Sequence, residues 1–484
     1  MAYVLIRNEE EEIIESADRT NSSTVENRSS ENEGQSLKGG AVLTDVKQRL
    51  KSLDVFRGLT VALMILVDDA GGALPAINHS PWDGVTLADF VMPFFLFIVG
   101  VALGLVYKKV TNKVVATQKA ILRAIKLFLL GVILQGGYFH GLNNLTYGVD
   151  LEHIRWLGIL QRISIGYFLA AMCEIWMTCN CPVDSFLGFV KKYYLQWVFA
   201  AVLSTAYLGC LYGLYVPDWE FELPMINFYG TPSNAGSEMA MVKCGVRGSL
   251  EPACNAVRMI DYYVLGVKHL YQNPMYKRTK ECSVKSPDYG PSPENAPIWC
   301  QAPFDPEGLL STIMASVTCF IGLNFGHILV NFKGQWERLY LWTISSFVLI
   351  LIGIFLEMLG MPLNKPLYTF SYMCVTSGTA GFLFAAIYLF VDVYGYRRPT
   401  VLLEWMGLNA LIIYALAACD LFAAAIQGFY WSLPKNNIVN AVELLIQGIL
   451  HSKRWGKLVY VFFEIFFWSL IAGLLHIKGI YIKL

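Results

Sequence analysis

The side chains able to do chemistry gather where apolar runs end. "LMILVDDAGG" closes one run with adjacent carboxylates, Asp68 and Asp69, and "AINHSPWDGVTLADFVMPFF" sets His79, Asp83 and Asp89 ahead of the next. An imidazole titrates near neutral pH, so His79 can shuttle a proton or act as a nucleophile. A neighbouring carboxylate, Asp68 or Asp83, can orient its ring and hold its charged form; the bland alternative is an ordinary interfacial histidine. "SPWDG" is a turn signature, and Trp82 suits either a membrane interface or the wall of a pocket. Asp89 falls in the first turn of the next helix, where a carboxylate satisfies the helix N-terminus.

Other polar residues lie within apolar runs, where an ionisable group costs several kcal/mol unless paired or wetted. In "SLDVFRGL", Asp54 and Arg57 share a helical face, either as an ion pair or with the guanidinium turned to a phosphate. "GILQRISIGYF" places Gln161 and Arg162 a short way into an apolar helix, and Arg162 there needs an anionic ligand or one of the acids above. "PLNKPLYTFSY" carries Asn364 and Lys365, and "EWMGLNALIIY" carries Glu404 and Asn409. A buried amide must be hydrogen-bonded to a neighbour or a ligand. "FDPEGLLSTI" reads as a helix start whose acids are structural.

The elements that must position these groups are transmembrane helices. The chain has 484 residues, is 55% hydrophobic and has a mean hydropathy of +0.46. Charged residues make up 15%, against roughly 25% in soluble globular chains. Several apolar runs approach or exceed the ~20 residues that cross a bilayer. The fold class is therefore all-α, a polytopic membrane bundle of about ten spans. These lie near 53–71, 88–107, 121–139, 156–178, 194–216, 307–330, 338–360, 367–393, 400–427 and 456–476, and an amphipathic segment at 437–450 lies flat or re-enters. Lys and Arg concentrate in alternate short loops, which predicts cytosolic termini and puts His79 in the first external loop.

Residues 1–48, acidic and rich in Ser, Asn and Glu, read as a disordered cytosolic tail without a cleavable signal, ahead of one membrane domain at 49–484. The large loop at about 216–306 falls outside and holds Cys244, Cys254, Cys282 and Cys300, with three possible disulfide pairings. No CxxC pair is present in that loop, so disulfides are favoured over zinc and no metal is expected. "NNLT" at 143–146 is a glycosylation sequon on the same side. The formal net charge is zero, so nothing points to nucleic acid; the surrounding partner is membrane lipid.

Taken in order, "RLKSLDVFRGLTVALMILV", "NHSPWDGVTLADFVMPFFLFIVG", "GILQRISIGYF", "RMIDYYVLGVKHLYQNP", "FDPEGLLSTI", "LNKPLYTFSY" and "GLNALIIY" resemble the heparan-alpha-glucosaminide N-acetyltransferase family, over roughly 49–480. The resemblance implies a transmembrane acyltransferase that takes acetyl from cytosolic acetyl-CoA and passes it to an amino-sugar or glycan acceptor on the luminal or external side. It implies that His79, in the loop between the first two spans, is catalytic. Asp68 stands where the lysosomal member has an asparagine expected to assist, and Ala417 stands where it has a histidine. Arg57, Arg162, Gln161 and Asn409 are then the candidates on the acetyl-CoA side, and Trp82, Asp83, Asn364 and Lys365 those on the acceptor side. The resemblance further implies a member without the large luminal N-terminal domain and a lysosomal or vacuolar membrane, with the plasma membrane second; a homodimer is compatible with the sequence but not derivable from it. The alternative from the residues alone is a proton-coupled membrane transporter, which also wants acids, a histidine and an interior Arg at the membrane edge.

Overall fold

With no water to satisfy a backbone inside a bilayer, each apolar segment must bond its own N–H and C=O groups, and the long apolar segments here wind into helices. The computed structural model describes residues 50–74, 76–110, 112–135, 154–178, 186–223, 238–418, 421–433 and 435–481. The acidic tail at 1–48 and the sequon at 143–146 lie outside the described residues. The long helices are α1 (Lys51–Ala70), α2 (Leu87–Val106), α3 (Lys113–Gln135), α4 (Ile159–Met177) and α5 (Phe186–Gly213). After an extramembrane lobe containing α6 (Ala256–Leu265) come α7 (Leu309–Asn331), α8 (Gln335–Met358) and α9 (Phe370–Tyr388), the last extended by a π-helical turn. Then α10 (Val401–Leu408) and α11 (Ala410–Ile413) form a broken helix bent by 71°, followed by α12 (Leu421–Gln427), α13 (Ile438–Leu450) and α14 (Lys453–Ile477).

Among the described residues, each segment expected to span contains helix. By length and apolarity, however, six described helices qualify to cross a membrane (α2, α5, α7, α8, α9 with its π turn, and α14), and seven if the broken pair counts as one. The shortfall has a visible cause in α1, whose length suffices but whose 20 residues include Lys51, Asp54, Arg57, Asp68 and Asp69.

The centre of the bundle is the α2–α7 pair, each 83% buried over its apolar window. Gly100 and Gly104 of α2 face Gly322 and Gly326 of α7, and the backbones touch: a Cβ on Gly100 would stand 2.0 Å from the Cys319 carbonyl oxygen, and one on Gly322 2.1 Å from that of Phe97. Two small-xxx-small faces thus bring two helix axes close enough for packing without large side chains. By contrast α8 and α14 leave Phe347, Leu351, Phe355, Phe463 and Phe466 exposed. That is the apolar rim a bilayer solvates and water does not.

The lobe between α5 and α7 has two short antiparallel ladders, Tyr215–Val216 (β1) with Val246–Arg247 (β4) and Trp219–Leu223 (β2) with Glu238–Val242 (β3). Trp219, Phe221, Ala240, Val242 and Ala302 form its small core. Of the three possible pairings, the chain forms Cys244–Cys254 and Cys282–Cys300.

Candidate active site at the mouth of the bundle

The site is built where the loop after α1 meets the start of α2. Thr86 and Asp89 form a reciprocal capping box that starts α2: the Thr86 backbone N–H donates to Asp89 Oδ2 at 3.0 Å. The Ser80 N–H donates to the same oxygen at 3.1 Å, folding the loop back over the helix start. The other carboxylate oxygen, Oδ1, lies 2.8 Å from His79 Nδ1. One fully buried carboxylate therefore caps the helix and fixes the imidazole. Pro93, inside α2, has no N–H for the carbonyl four residues back. That carbonyl belongs to Asp89, and the Tyr372 hydroxyl from α9 donates to it instead.

Lys365 reaches the same imidazole from the loop before α9. Its Nζ lies 2.9 Å from His79 Nδ1, 3.4 Å from Nε2 and 3.6 Å from Asp89 Oδ1. His79 Nδ1 cannot donate to Asp89 and accept from Lys365 at once, so the triangle has two proton arrangements. With the proton on Nδ1 and shared with Asp89, Nε2 carries the lone pair of a base. Burial and the Lys365 charge hold the His79 pKa below the usual histidine range, against the raising effect of Asp89. Burial likewise lowers the Lys365 pKa, while Asp89, Glu307 and Asp68 pull it up. His79 keeps about a quarter of its side chain exposed, whereas Lys365 and Asp89 are enclosed. The imidazole is thus the member of the triangle a substrate can reach.

The surroundings are rigid. The Asn364 amide donates to Asp83 Oδ1 at 3.2 Å, and Gly84 N–H donates to the Leu363 carbonyl at 2.8 Å, tying the two loops together. The Trp82 indole N–H donates to the Leu250 carbonyl at 3.0 Å, and its ring packs edge-on against Phe304 and Tyr276. The acids of "FDPEG" pair with Arg155, which meets Asp305 and Glu307 at 2.5 Å each. Asp261 of α6 accepts the Leu309 N–H at 2.8 Å, capping α7, and burial pushes its carboxyl up to about 8.

Several sequence expectations are corrected. The acid on His79 is Asp89, while Asp68 ends α1 with an exposed side chain and reaches the cluster through its charge on Lys365. Arg162 is bonded within the protein. It donates to the Pro306 carbonyl at 2.8 Å, to Thr312 Oγ1 at 3.2 Å and to Ser311, and lies 5.4 Å from the centre of the Tyr368 ring. Its partners are uncharged oxygens at the start of α7, not one of the predicted acids. Arg57 pairs with Asp54 at 3.3 Å, so the ion-pair alternative is realised, and it also donates to the Gly407 carbonyl at 3.3 Å. Gln161 is fully buried against Gly131 of α3, and Asn409 marks the α10–α11 break and donates to Ala472 of α14 at 3.5 Å. The Asn364 amide bonds to Asp83 and the Trp82 indole to the lobe, while the Asp83 side chain remains exposed.

Below the cluster a narrow apolar slot lies between α1, α2, α4 and α11, with Arg57 in its wall beside Phe95, Ile98, Val99, Ile163 and Tyr414. Residues 95–99 follow Asp89 along α2 by six to ten positions, roughly 9–15 Å of helix.

The fold and site define a multi-pass α-helical membrane protein with a His–Asp–Lys cluster at one mouth of its bundle. Residues 49–228 match the family model described as heparan-alpha-glucosaminide N-acetyltransferase, catalytic. The chain is 27% identical over 447 residues to the heparan-alpha-glucosaminide N-acetyltransferase of Homo sapiens, covering 88% of this chain and 61% of that protein. It is 28% identical over 436 residues to the Mus musculus protein of the same name, covering 86% and 60%. The chain spans about three fifths of the length of the curated relatives it matches.

Proposed function

We propose that the chain is a transmembrane acetyltransferase that takes acetyl from cytosolic acetyl-CoA and delivers it to an amino-sugar acceptor on the luminal or external side. The observation that carries this reading is the His79 imidazole, partly exposed and held between Asp89 and Lys365. It is supported by the family-model match over residues 49–228 and by the relatives' printed name, which specifies a glucosaminide amine as their acceptor.

In this reading Asp89 keeps the proton on Nδ1 and stabilises the imidazolium that forms when Nε2 takes a proton from the acceptor amine. The Lys365 ammonium, 3.4 Å from Nε2, stands where negative charge develops on a carbonyl oxygen under attack. Asp68 tunes Lys365 by charge. The amine nitrogen attacks the thioester carbonyl of acetyl-CoA, the C–S bond breaks, and coenzyme A leaves as the thiol with the proton that the His79 imidazolium returns. About ten crossings, with both termini cytosolic and the disulfide-bonded lobe outside, would present His79 to the acceptor. A lysosomal or vacuolar membrane fits that orientation, with the plasma membrane second, and a homodimer is compatible with it.

The test is transfer in sealed proteoliposomes, with labelled acetyl-CoA on the cytosolic face and glucosamine trapped inside. Trapped N-acetylglucosamine from wild type and none from His79→Ala supports the reading. An undiminished rate in His79→Ala sinks it, and glucosamine uptake without acetyl-CoA points to a transporter instead.

A further inference from the structure

The last helices border a cavity of about 360 Å³ that the acetyl-transfer cluster does not use. Its walls come from the π-helical turn Tyr414–Ala418, α12, α13 and α14. Its volume lies within the ~300–1,000 Å³ of small-molecule sites. The cavity is set in lipid rather than water. No residue of α13 is buried. Ile438, Val439, Val442 and Ile446 line the cavity, while Leu444, Leu445 and Ile449 on the other side are 64–68% exposed. A helix apolar on both sides belongs in a bilayer. Its acid, Glu443, is spent on α14, where it pairs with Lys457 at 3.1 Å.

The chemistry of the wall is uneven. Among the described residues that line the cavity, Glu464 is the one charged side chain. It lies midway along α14, roughly 16–20 Å of helix from either terminus. An acid at that depth is costly, and one that faces a cavity marks a functional site. Rings share its helix face: Tyr460 and Trp468 stand one turn to either side, with Phe463 and Phe467 beside them. The Trp468 indole N–H donates to Glu464 Oε1 at 3.4 Å. Phe422 of α12 packs edge-on against Trp468 at 5.2 Å, and Phe467 lies 5.5 Å from the same ring. A carboxylate among aromatic rings suits an ammonium, through charge and through cation–π attraction. The apolar remainder of the wall suits a hydrocarbon chain on that ammonium. A phospholipid headgroup does not fit the depth, because its phosphate would have to descend with the amine.

We propose that this cavity binds a single-chain lipophilic amine drawn from the surrounding bilayer, with its ammonium on Glu464 among the rings and its chain along the inner side of α13. The site goes beyond acetyl transfer, and binding alone tests it, so its failure and that of the transfer reading are separate results. The experiment is photolabelling of the full-length chain in phosphatidylcholine nanodiscs with a diazirine-bearing dodecylamine. Dodecylamine, dodecanol and dodecanoate are the competitors, and labelled peptides are mapped by mass spectrometry. Saturable labelling of α13 and α14, displaced by dodecylamine at least tenfold more effectively than by dodecanol or dodecanoate, is the expected result. Glu464→Gln should bring the amine down to the level of the alcohol. Val442→Trp, a larger side chain at a half-exposed position of the wall, should fill the cavity and reduce the labelling several-fold; it decides the matter if Glu464→Gln misfolds. Labelling that does not saturate, as when a lipid headgroup already fills the site, would overturn the proposal. So would equal displacement by dodecanol or dodecanoate, a wild-type preference for the amine in Glu464→Gln, or undiminished labelling in Val442→Trp.

Discussion

Replacing Asp89 by Asn separates the two tasks of one carboxylate. Its Oδ2 accepts from Ser80 N–H, Thr86 N–H and Thr86 Oγ1 at 3.0–3.1 Å, and its Oδ1 faces His79 Nδ1 at 2.8 Å. An amide whose oxygen stays on the three cap donors must turn its NH₂ toward His79. Nδ1 then becomes the acceptor, the proton moves to Nε2, and the lone pair that would deprotonate an amine is gone. The equivalent exchange in a serine-protease triad lowers kcat about 10⁴-fold, so Asp89→Asn should lose on the order of 10³–10⁴ in kcat with KM little changed. The fold pays separately, because Lys365, 3.6 Å from Asp89, is left buried without its carboxylate. Removing one partner of a buried pair costs roughly 3–5 kcal/mol. The loss should fall at the low end, since burial already lowers the Lys365 pKa and the amine can shed its proton. The assay is labelled acetyl transfer to glucosamine, beside thermal unfolding in detergent. A folded Asp89→Asn protein with kcat within threefold of wild type would refute the assignment of Asp89 as the residue that sets the His79 tautomer.

The pH profile supplies a test of sign. His79 acts while neutral, and burial and Lys365 lower its pKa, so the rate should rise with pH through a value below the ordinary histidine range of about 6.5. Lys365→Met removes one lowering influence and should move that limb to higher pH; an unmoved limb would mean that Lys365 does not act on His79. Gly58→Ala should prevent folding or lower the midpoint strongly, because its Cβ would stand 1.8 Å from the Leu403 carbonyl oxygen in a backbone-to-backbone contact; wild-type stability would show that α1 and α10 do not cross there. The Cys282–Cys300 bridge, 18 residues apart, should contribute about 3 kcal/mol in the chain-entropy picture, and paired Ser substitutions should lower the melting midpoint by several degrees. Their thiols, introduced one at a time, should react with an impermeant maleimide added to the face opposite the N-terminus, and labelling from the other face would reverse the proposed orientation.

Much of the architecture was legible because a bilayer allows a segment few solutions. Runs such as Leu87–Val106 and Leu309–Asn331 can only be helices there, and the capping pattern before Asp89 announced where one begins. The four loop cysteines declared disulfides but not their pairing, since Cys244–Cys254 and Cys282–Cys300 depend on how the lobe folds. His79 stood out by its residue type, its turn and its place before a helix, and in the structure it lies against Asp89 and Lys365. Its partners were not: Asp68 lies eleven positions before it and Asp89 ten after, and proximity in sequence favours neither. Only the capping box, which aims one oxygen of Asp89 at the loop, and the return of the Asn364–Lys365 loop from 286 residues away decide which charges touch the imidazole. Local pattern dictates helices and caps because those bonds are made within a few residues. The ionisation and orientation of His79 are set by desolvation and by charges from distant segments, and those exist only once the helices have packed.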